Sequence, residues 1–106
     1  MKKKTFKVIK TQTRLSTKIP FSFQFYPQTE KQKLYVEENY IKNKKLLTVK
    51  SEMSKDGLVS ITIVTWKSIE DFLDFAVDDW FAATDGNDKI RYDLKNNIKT
   101  VIRIEE

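Results

Sequence analysis

Apolar and polar residues alternate along five stretches of the chain, and a period of two predicts β-strands with one buried face. The predicted strands span residues 5–15, 19–26, 46–53, 58–66 and 98–105. The strand 58–66 carries apolar side chains on both faces: Val59, Ile61 and Ile63 on one, and Leu58, Val64 and Trp66 on the other. Because both faces of such a strand need cover, we expect it to lie in the middle of its sheet.

Turn residues refine this picture. Ser54-Lys55-Asp56-Gly57 separates the third and fourth predicted strands, and Asp-Gly between two β-rich runs predicts a tight hairpin. Pro20 falls inside the second predicted strand. Proline cannot donate a ladder hydrogen bond, so we place Pro20 at the start of that strand or on an edge of the sheet.

Two stretches predict helices. The first covers residues 28–44, where Thr29 can cap the helix and Leu34 and Ile41 share one face. The second begins at Ser68, with Asp71 three positions later as a capping-box residue. Its expected buried stripe consists of Ile69, Phe72, Leu73, Ala76, Trp80 and Ala83. We expect a turn at residues 84–88 and irregular structure from there to Asn97.

The element order predicts an α+β fold. Two βαβ-like halves about a central hairpin form the ferredoxin-like plan, an antiparallel sheet with two helices on one face. Since the central strand also supplies apolar groups to the other face, that face needs a partner. A second copy of the chain is the simplest one, because two-fold homodimers are the commonest oligomers.

The amino-acid composition excludes several kinds of catalytic and metal-binding site. The chain has 106 residues, the size of one domain covering residues 1–106, and it contains neither cysteine nor histidine. Disulfides, thiolate nucleophiles and cysteine-type zinc sites are therefore excluded. Histidine would be the usual general base and metal ligand. We accordingly predict no metal site and no cofactor, and we lean against catalysis.

Charge is divided unevenly along the chain. Residues 1–50 carry thirteen basic and three acidic side chains, whereas residues 51–106 carry seven and twelve. A lysine-rich half can bind single-stranded nucleic acid, but we expect folding to mix the two charge pools so that they offset each other. The basic residues are mostly lysine rather than the arginine that nucleic-acid sites favour, so we regard nucleic acid as an unlikely partner.

The sequence shows no membrane or export signal. The opening residues, Met1 to Lys10, are basic but contain no apolar core of a signal peptide. No run approaches the length of a membrane-spanning helix. We therefore predict a cytoplasmic protein with no membrane partner.

One segment resembles a known group of proteins. The sequence SKDGLVSITIVTWKSIEDF, residues 54–72, is similar to the hairpin-then-helix segment of the dimeric α+β barrel superfamily, which includes the antibiotic-biosynthesis-monooxygenase-like domains. The resemblance implies that two copies pair their sheets into a barrel. It also implies cofactor-independent oxygenation or haem degradation as family activities. Haem-degrading members rely on a histidine, which is absent here, so that activity is not carried over.

Aromatic residues provide the candidate ligand site. Trp66, Phe72, Phe75 and Trp80 can form the wall of a cavity beneath the second helix and hold a small aromatic ligand. The alternative is that these rings only fill the core, as aromatic residues at helical spacing usually do. The tyrosines at positions 26, 35, 40 and 92 are further possible hydrogen-bond donors.

Acidic residues cluster on the second helix and its exit turn. They are Glu70, Asp71, Asp74, Asp78, Asp79, Asp85 and Asp88. Oxygen ligands of this kind suit Ca²⁺ or Mg²⁺, but the turn lacks the twelve-residue loop and final glutamate of an EF-hand. We interpret the cluster as a solvated acidic face.

Together these observations predict a homodimeric interaction or structural module without catalysis. The first alternative is a monooxygenase-like or small-molecule-binding protein that uses the cavity near Trp66 and Trp80. The second is a protein that binds single-stranded nucleic acid through its lysine-rich first half.

Overall fold

The computed structural model describes residues 5–81, 83 and 87–105. Its sheet has four strands, namely β1 (Phe6–Thr13), β2 (Leu46–Met53), β3 (Val59–Trp66) and β4 (Lys99–Glu105). The strands lie in the order β2-β3-β1-β4 and every neighbouring pair is antiparallel. This is the predicted ferredoxin-like sheet, with β3 in the interior as expected.

The register assigns each strand residue to a face. Phe6 lies opposite Trp66 and Val8 lies opposite Val64, and these four side chains belong to the core under the helices. Successive residues of a strand point to opposite faces, so the odd-numbered residues of β1 and β3 form the other face. The side chains of β3 therefore alternate between the core and an open face, with the two sets of residues that the sequence predicted.

The predicted hairpin between β2 and β3 is confirmed. Gly57 has a φ of 74°, a left-handed conformation that glycine adopts without steric cost. The Ser54 hydroxyl donates to Asp56 Oδ1 at 2.6 Å, and the Leu58 amide donates to the same oxygen at 3.0 Å. These hydrogen bonds lower the pKa of Asp56. The turn is thus held by its own side chains.

Five helical segments accompany the sheet in the described part of the chain. They are α1 (Ser22–Phe25), α2 (Glu30–Val36), α3 (Ile69–Ala76), α4 (Asp79–Phe81) and α5 (Asn87–Lys95). Helix α2 continues as a π-helical segment, Glu37–Ile41. Both predicted caps are present: Thr29 accepts from the Gln32 amide, and Ser68 accepts from the Asp71 amide.

The predicted strand at residues 19–26 is wrong, because this segment contains α1. The Phe25 amide donates to the Phe21 carbonyl at 3.0 Å, and the Gln24 side chain accepts from the Phe21 amide at 2.9 Å. The alternation of phenylalanines was the misleading signal. The segment pairs with none of the four strands and forms its backbone hydrogen bonds locally.

Two helix predictions also need correction. Residues 87–95 form α5 rather than irregular structure, although Ile90 and Leu94 leave most of their surface exposed. The helix that begins after Ser68 ends at Ala76, and α4 follows as a separate turn. Much of the predicted turn 84–88 lies outside the described residues.

The predicted face of the first helix is wrong as well. Leu34 and Ile41 are both about half exposed, at 52% and 47%, whereas Tyr40 is buried. Tyr35, Val36 and Tyr40 pack against the core instead. The π-helical turn, with an i→i+5 hydrogen bond from the Lys42 amide to the Glu37 carbonyl, brings Tyr40 onto the same side of the helix as Tyr35.

Candidate functional site

The predicted ligand-site residues Trp66, Phe72 and Phe75 lie together at one end of the helix-covered face. Trp66 is only 2% exposed. Its ring centroid lies 5.9 Å from that of Phe72 and 5.3 Å from that of Phe75. Aromatic rings at these separations stabilise each other beyond their burial. These contacts account for packing, and a cavity against them stays a prediction.

Trp80, the fourth predicted residue, lies beside the tyrosines of the first helix. Its ring stacks on Tyr35 with the centroids 4.1 Å apart and the planes 24° apart. Tyr35 also donates its hydroxyl to Asp78 Oδ2 at 2.7 Å, and Tyr40 donates to the same oxygen. Trp80 therefore lies beside a polar group of two phenols and a carboxylate, and this group adjoins the other three rings through Tyr40, whose ring packs edge-on against Trp66.

The π-helical segment explains how both tyrosines reach Asp78. Residues five apart lie about 140° apart around a regular α-helix, so Tyr35 and Tyr40 would point in different directions. The wider π turn reduces this angle. Burial raises the pKa of Tyr40, and the hydrogen bond to Asp78 raises it further; the same hydrogen bond is the main cause of the raised pKa of Tyr35. Both phenols are therefore protonated donors at neutral pH.

The other end of the covered face is polar. Gln12 is buried and donates from Nε2 to Asp93 Oδ2 at 3.2 Å. Burial raises the pKa of Asp93, while the Ser22 hydroxyl, the Lys10 charge and Gln12 limit the rise. The second oxygen, Asp93 Oδ1, is buried with no hydrogen-bond partner. Leaving a buried carboxylate oxygen unpaired disfavours the charged form of the residue.

A buried arginine completes this polar end. Arg14 is 8% exposed and donates to the carbonyls of Gly57 and Ile19 at 2.8 and 2.9 Å. Its guanidinium carbon lies 4.3 Å from the ring centroid of Phe21, which is a cation–π distance. Arg14 therefore ties the hairpin turn to the segment that leads into α1.

The face of the sheet opposite the helices is open. It consists of Lys7, Ile9, Thr11 and Thr13 from β1, Val59, Ile61, Ile63 and Thr65 from β3, Thr48, Lys50 and Glu52 from β2, and Lys99, Val101, Arg103 and Glu105 from β4. Within the described residues, none of these side chains belongs to the core or bonds to a helix. The predicted uncovered face therefore exists.

The charged segments are distributed over several surfaces. Strand β1, from the basic half, lies between two strands from the other half, as we expected from the charge pattern. Lys45 pairs with Asp74 at 3.3 Å. Lys2, Lys3 and Lys4 lie outside the described residues. No group of three acidic side chains converges on a cation-sized space anywhere in the described ranges.

Sequence reasoning missed two partly buried carboxylates that accept hydrogen bonds from distant parts of the chain. Asp78 belonged to the predicted solvated acidic face, yet it accepts both tyrosine hydroxyls. Asp93 fell in a segment predicted to be irregular, so no face could be assigned to it. The four tyrosines named as possible donors were the only signal, and three of them do donate hydrogen bonds.

No helix among the described residues is long and apolar enough to cross a bilayer. The chain matches no protein-family profile and no curated protein. Among solved structures, it is similar to a dimeric ferredoxin-like protein from an uncultured marine organism, determined at 1.85 Å resolution. The alignment covers 95% of this chain and 92% of that one, with a TM-score of 0.64 and 14% identity. The likeness establishes the ferredoxin-like fold of this chain and carries the fold alone.

Proposed function

We propose that this protein is a homodimeric interaction module, in which two copies pair through their open sheet faces. The observation that carries the proposal is the uncovered apolar stripe formed by Ile9, Val59, Ile61, Ile63 and Val101. Apolar groups gain free energy when they leave water, at roughly 25 cal/mol per Å² buried. A second sheet of the same composition provides that cover.

The arrangement of charge on this face suits an interface between proteins. The apolar residues lie mainly on the inner strands β1 and β3, whereas charged residues such as Lys50, Glu52 and Arg103 lie on the edge strands. An apolar centre with a polar rim is the usual anatomy of such interfaces. The rim carries both signs, so a second copy can offer an opposite charge to each.

The open face also favours a protein partner over nucleic acid. Ferredoxin-like sheets that read single-stranded RNA stack bases on exposed aromatic rings. The four described strands place no phenylalanine, tyrosine or tryptophan on this face. The similar marine protein is dimeric, which gives separate support for a homodimer here.

The oligomeric state tests this proposal directly. Light scattering after gel filtration at micromolar concentration should give twice the chain mass of 12.6 kDa. Ile61→Lys should yield a folded monomer, because it puts a charge in the centre of the stripe. Ile102→Lys is the matched control: Ile102 is 60% exposed on the opposite face, so this variant should remain dimeric. A monomeric wild type, or a dimeric Ile61→Lys, would overturn the proposal.

A second candidate function is binding of a small aromatic molecule beside Trp80. The Tyr35–Trp80 stack supports it, because an aromatic pair next to a hydrogen-bonded carboxylate can hold a flat ring and orient its polar substituent. Thermal-shift measurements with flat phenols should show stabilisation that Trp80→Leu abolishes. Oxygen uptake in the presence of a bound phenol would extend this candidate to monooxygenase-like activity. Absence of any thermal shift with the phenols would contradict binding at this position.

A further inference from the structure

We propose that a groove between α5 and the segment leading into α1 binds a small anion that carries a flat ring, such as a nucleoside monophosphate or an aromatic carboxylate. The groove has a volume of about 510 Å³, within the range of small-molecule sites. None of the residues that line the groove belongs to the open sheet face or to the Tyr35–Trp80 stack. The inference therefore stands apart from dimerisation.

The charges that line the groove favour an anion. Lys18, Arg91 and Lys95 line it, against one acidic residue, Asp88. Asp88 pairs with Arg91 at 3.5 Å, but neither Lys18 nor Lys95 forms an ion pair with any residue that the structure describes. Two cations without carboxylate partners remain to meet a phosphate or carboxylate.

Three aromatic rings supply the site for the flat part of the ligand. Phe25 stacks on Tyr92 with the centroids 4.8 Å apart and the planes 24° apart, and Tyr26 meets both rings edge-on. Phe25 is 54% exposed and Tyr26 is 39% exposed, although rings of this size are usually covered in a soluble domain. An incoming ring can extend this cluster, and base–aromatic stacking contributes about 1–3 kcal/mol in other proteins.

The walls of the groove are held in place before any ligand arrives. Tyr92 donates its hydroxyl to the Pro20 carbonyl, which joins α5 to the opposite wall. Asn96 donates from Nδ2 to the Tyr92 carbonyl at 2.9 Å. Because these bonds fix the ring and the loop, binding needs little reordering of the protein, which lowers its entropic cost.

Calorimetry at low ionic strength tests the proposal with four probes. They are adenosine monophosphate, 4-hydroxybenzoate, adenosine as a ring without the anion, and inorganic phosphate as an anion without the ring. We expect adenosine monophosphate or 4-hydroxybenzoate to bind at least tenfold more tightly than adenosine and phosphate. The better of the two shows whether the natural anion is a phosphate or a carboxylate. Equal binding of phosphate alone, or no binding below 1 mM by any probe, would overturn the proposal.

Variants locate the site. Lys18→Gln combined with Lys95→Gln should weaken binding at least tenfold, and Tyr26→Leu should reduce the preference for the ring-bearing anion. Lys42→Gln is the matched control, since Lys42 is an exposed lysine outside the groove, and it should leave the affinity unchanged. The monomeric Ile61→Lys should bind as the wild type does, which separates this result from the dimer test. Equal losses in the double variant and in Lys42→Gln would contradict the assignment.

Discussion

The helix-covered face of the sheet has two ends that are built from different chemistry. At one end, Phe6 and Val8 of β1 pack with Trp66 and Tyr40 in a core of rings and aliphatic groups. At the other end, the same strand continues with Gln12, which is buried, and the chain then leads to the buried Arg14. The strand thus passes from an apolar core to a network of hydrogen bonds.

The two ends contribute to the fold in different ways. Burial of apolar rings supplies free energy of folding in proportion to area and needs no particular partner. A buried polar group gains little, but leaving it unpaired is costly, so each group at the polar end specifies its neighbour. We therefore expect the apolar end to dominate stability and the polar end to determine loop positions and pH dependence. Four substitutions test this difference, in order of decreasing effect.

Trp66→Ala should have the largest effect. Trp66 contacts rings from α3 and the π-helical segment, so its loss leaves a cavity that several elements share. Substitutions of this kind cost about 3–5 kcal/mol, a large part of the stability of a small domain. Urea unfolding followed by circular dichroism measures the change. A loss below that of Arg14→Met would contradict the expected dominance of the apolar end.

Arg14→Met should destabilise the fold by about 2–3 kcal/mol, because the partly buried carbonyls of Gly57 and Ile19 lose their donors while the aliphatic volume is kept. Arg14→Lys is the informative control, since it retains the charge without the planar fork. We expect the lysine variant to recover less than half of the loss. Full recovery would show that charge alone, and not the pattern of donors, matters at this position.

Tyr40→Phe should cost about 1–2 kcal/mol near neutral pH, since Asp78 loses one of its two phenol donors. The pKa of Tyr40 is raised in the folded state, so the folded protein holds this proton more tightly than the unfolded chain does. Its contribution to stability is complete below about pH 10 and is lost as the pH rises through the folded pKa. Unfolding free energies between pH 8 and 11 should therefore fall less steeply in the variant than in the wild type.

Asp93→Asn should change stability at neutral pH by less than about 1 kcal/mol, because it removes a poorly solvated charge as well as one good acceptor. The pKa of Asp93 is raised from its ordinary 3.8, so the wild type loses stability as the pH rises from about 4 through the folded pKa. The variant should lack this part of the pH profile. An unchanged profile between pH 4 and 7 would show that Asp93 is charged and solvated.

Local sequence signals predicted a good part of this fold. The Asp-Gly hairpin, the caps at Thr29 and Ser68, and the two-faced strand β3 are all as expected, because each depends on residues within a few positions along the chain. The phenylalanine alternation before Pro27 misled the prediction. Alternation over a few residues does not specify which strand the segment would pair with. Here the segment contains α1 and pairs with none of the four strands.

The candidate sites were harder to predict for the same reason. Tyr40 and Asp78 are 38 positions apart, and Gln12 and Asp93 are 81 apart, so no local pattern brings them together. Of the four predicted cavity residues, three contact one another directly, and Trp80 joins the same core through Tyr35. The groove of lysines and tyrosines had no sequence signal, since its walls come from segments predicted to be a strand and an irregular stretch.

The sequence by itself determined which chemistry is absent and which sheet the chain can build. Without cysteine or histidine it has no thiolate or imidazole, and its turns, caps and strand faces follow from nearest neighbours. Only the tertiary structure decided that Asp78 and Asp93 accept hydrogen bonds from distant side chains, that α1 replaces a fifth strand, and that rings and cations line one groove. These outcomes depend on which distant segments compete for the same surface, and that competition is settled by packing and by the cost of unpaired buried groups.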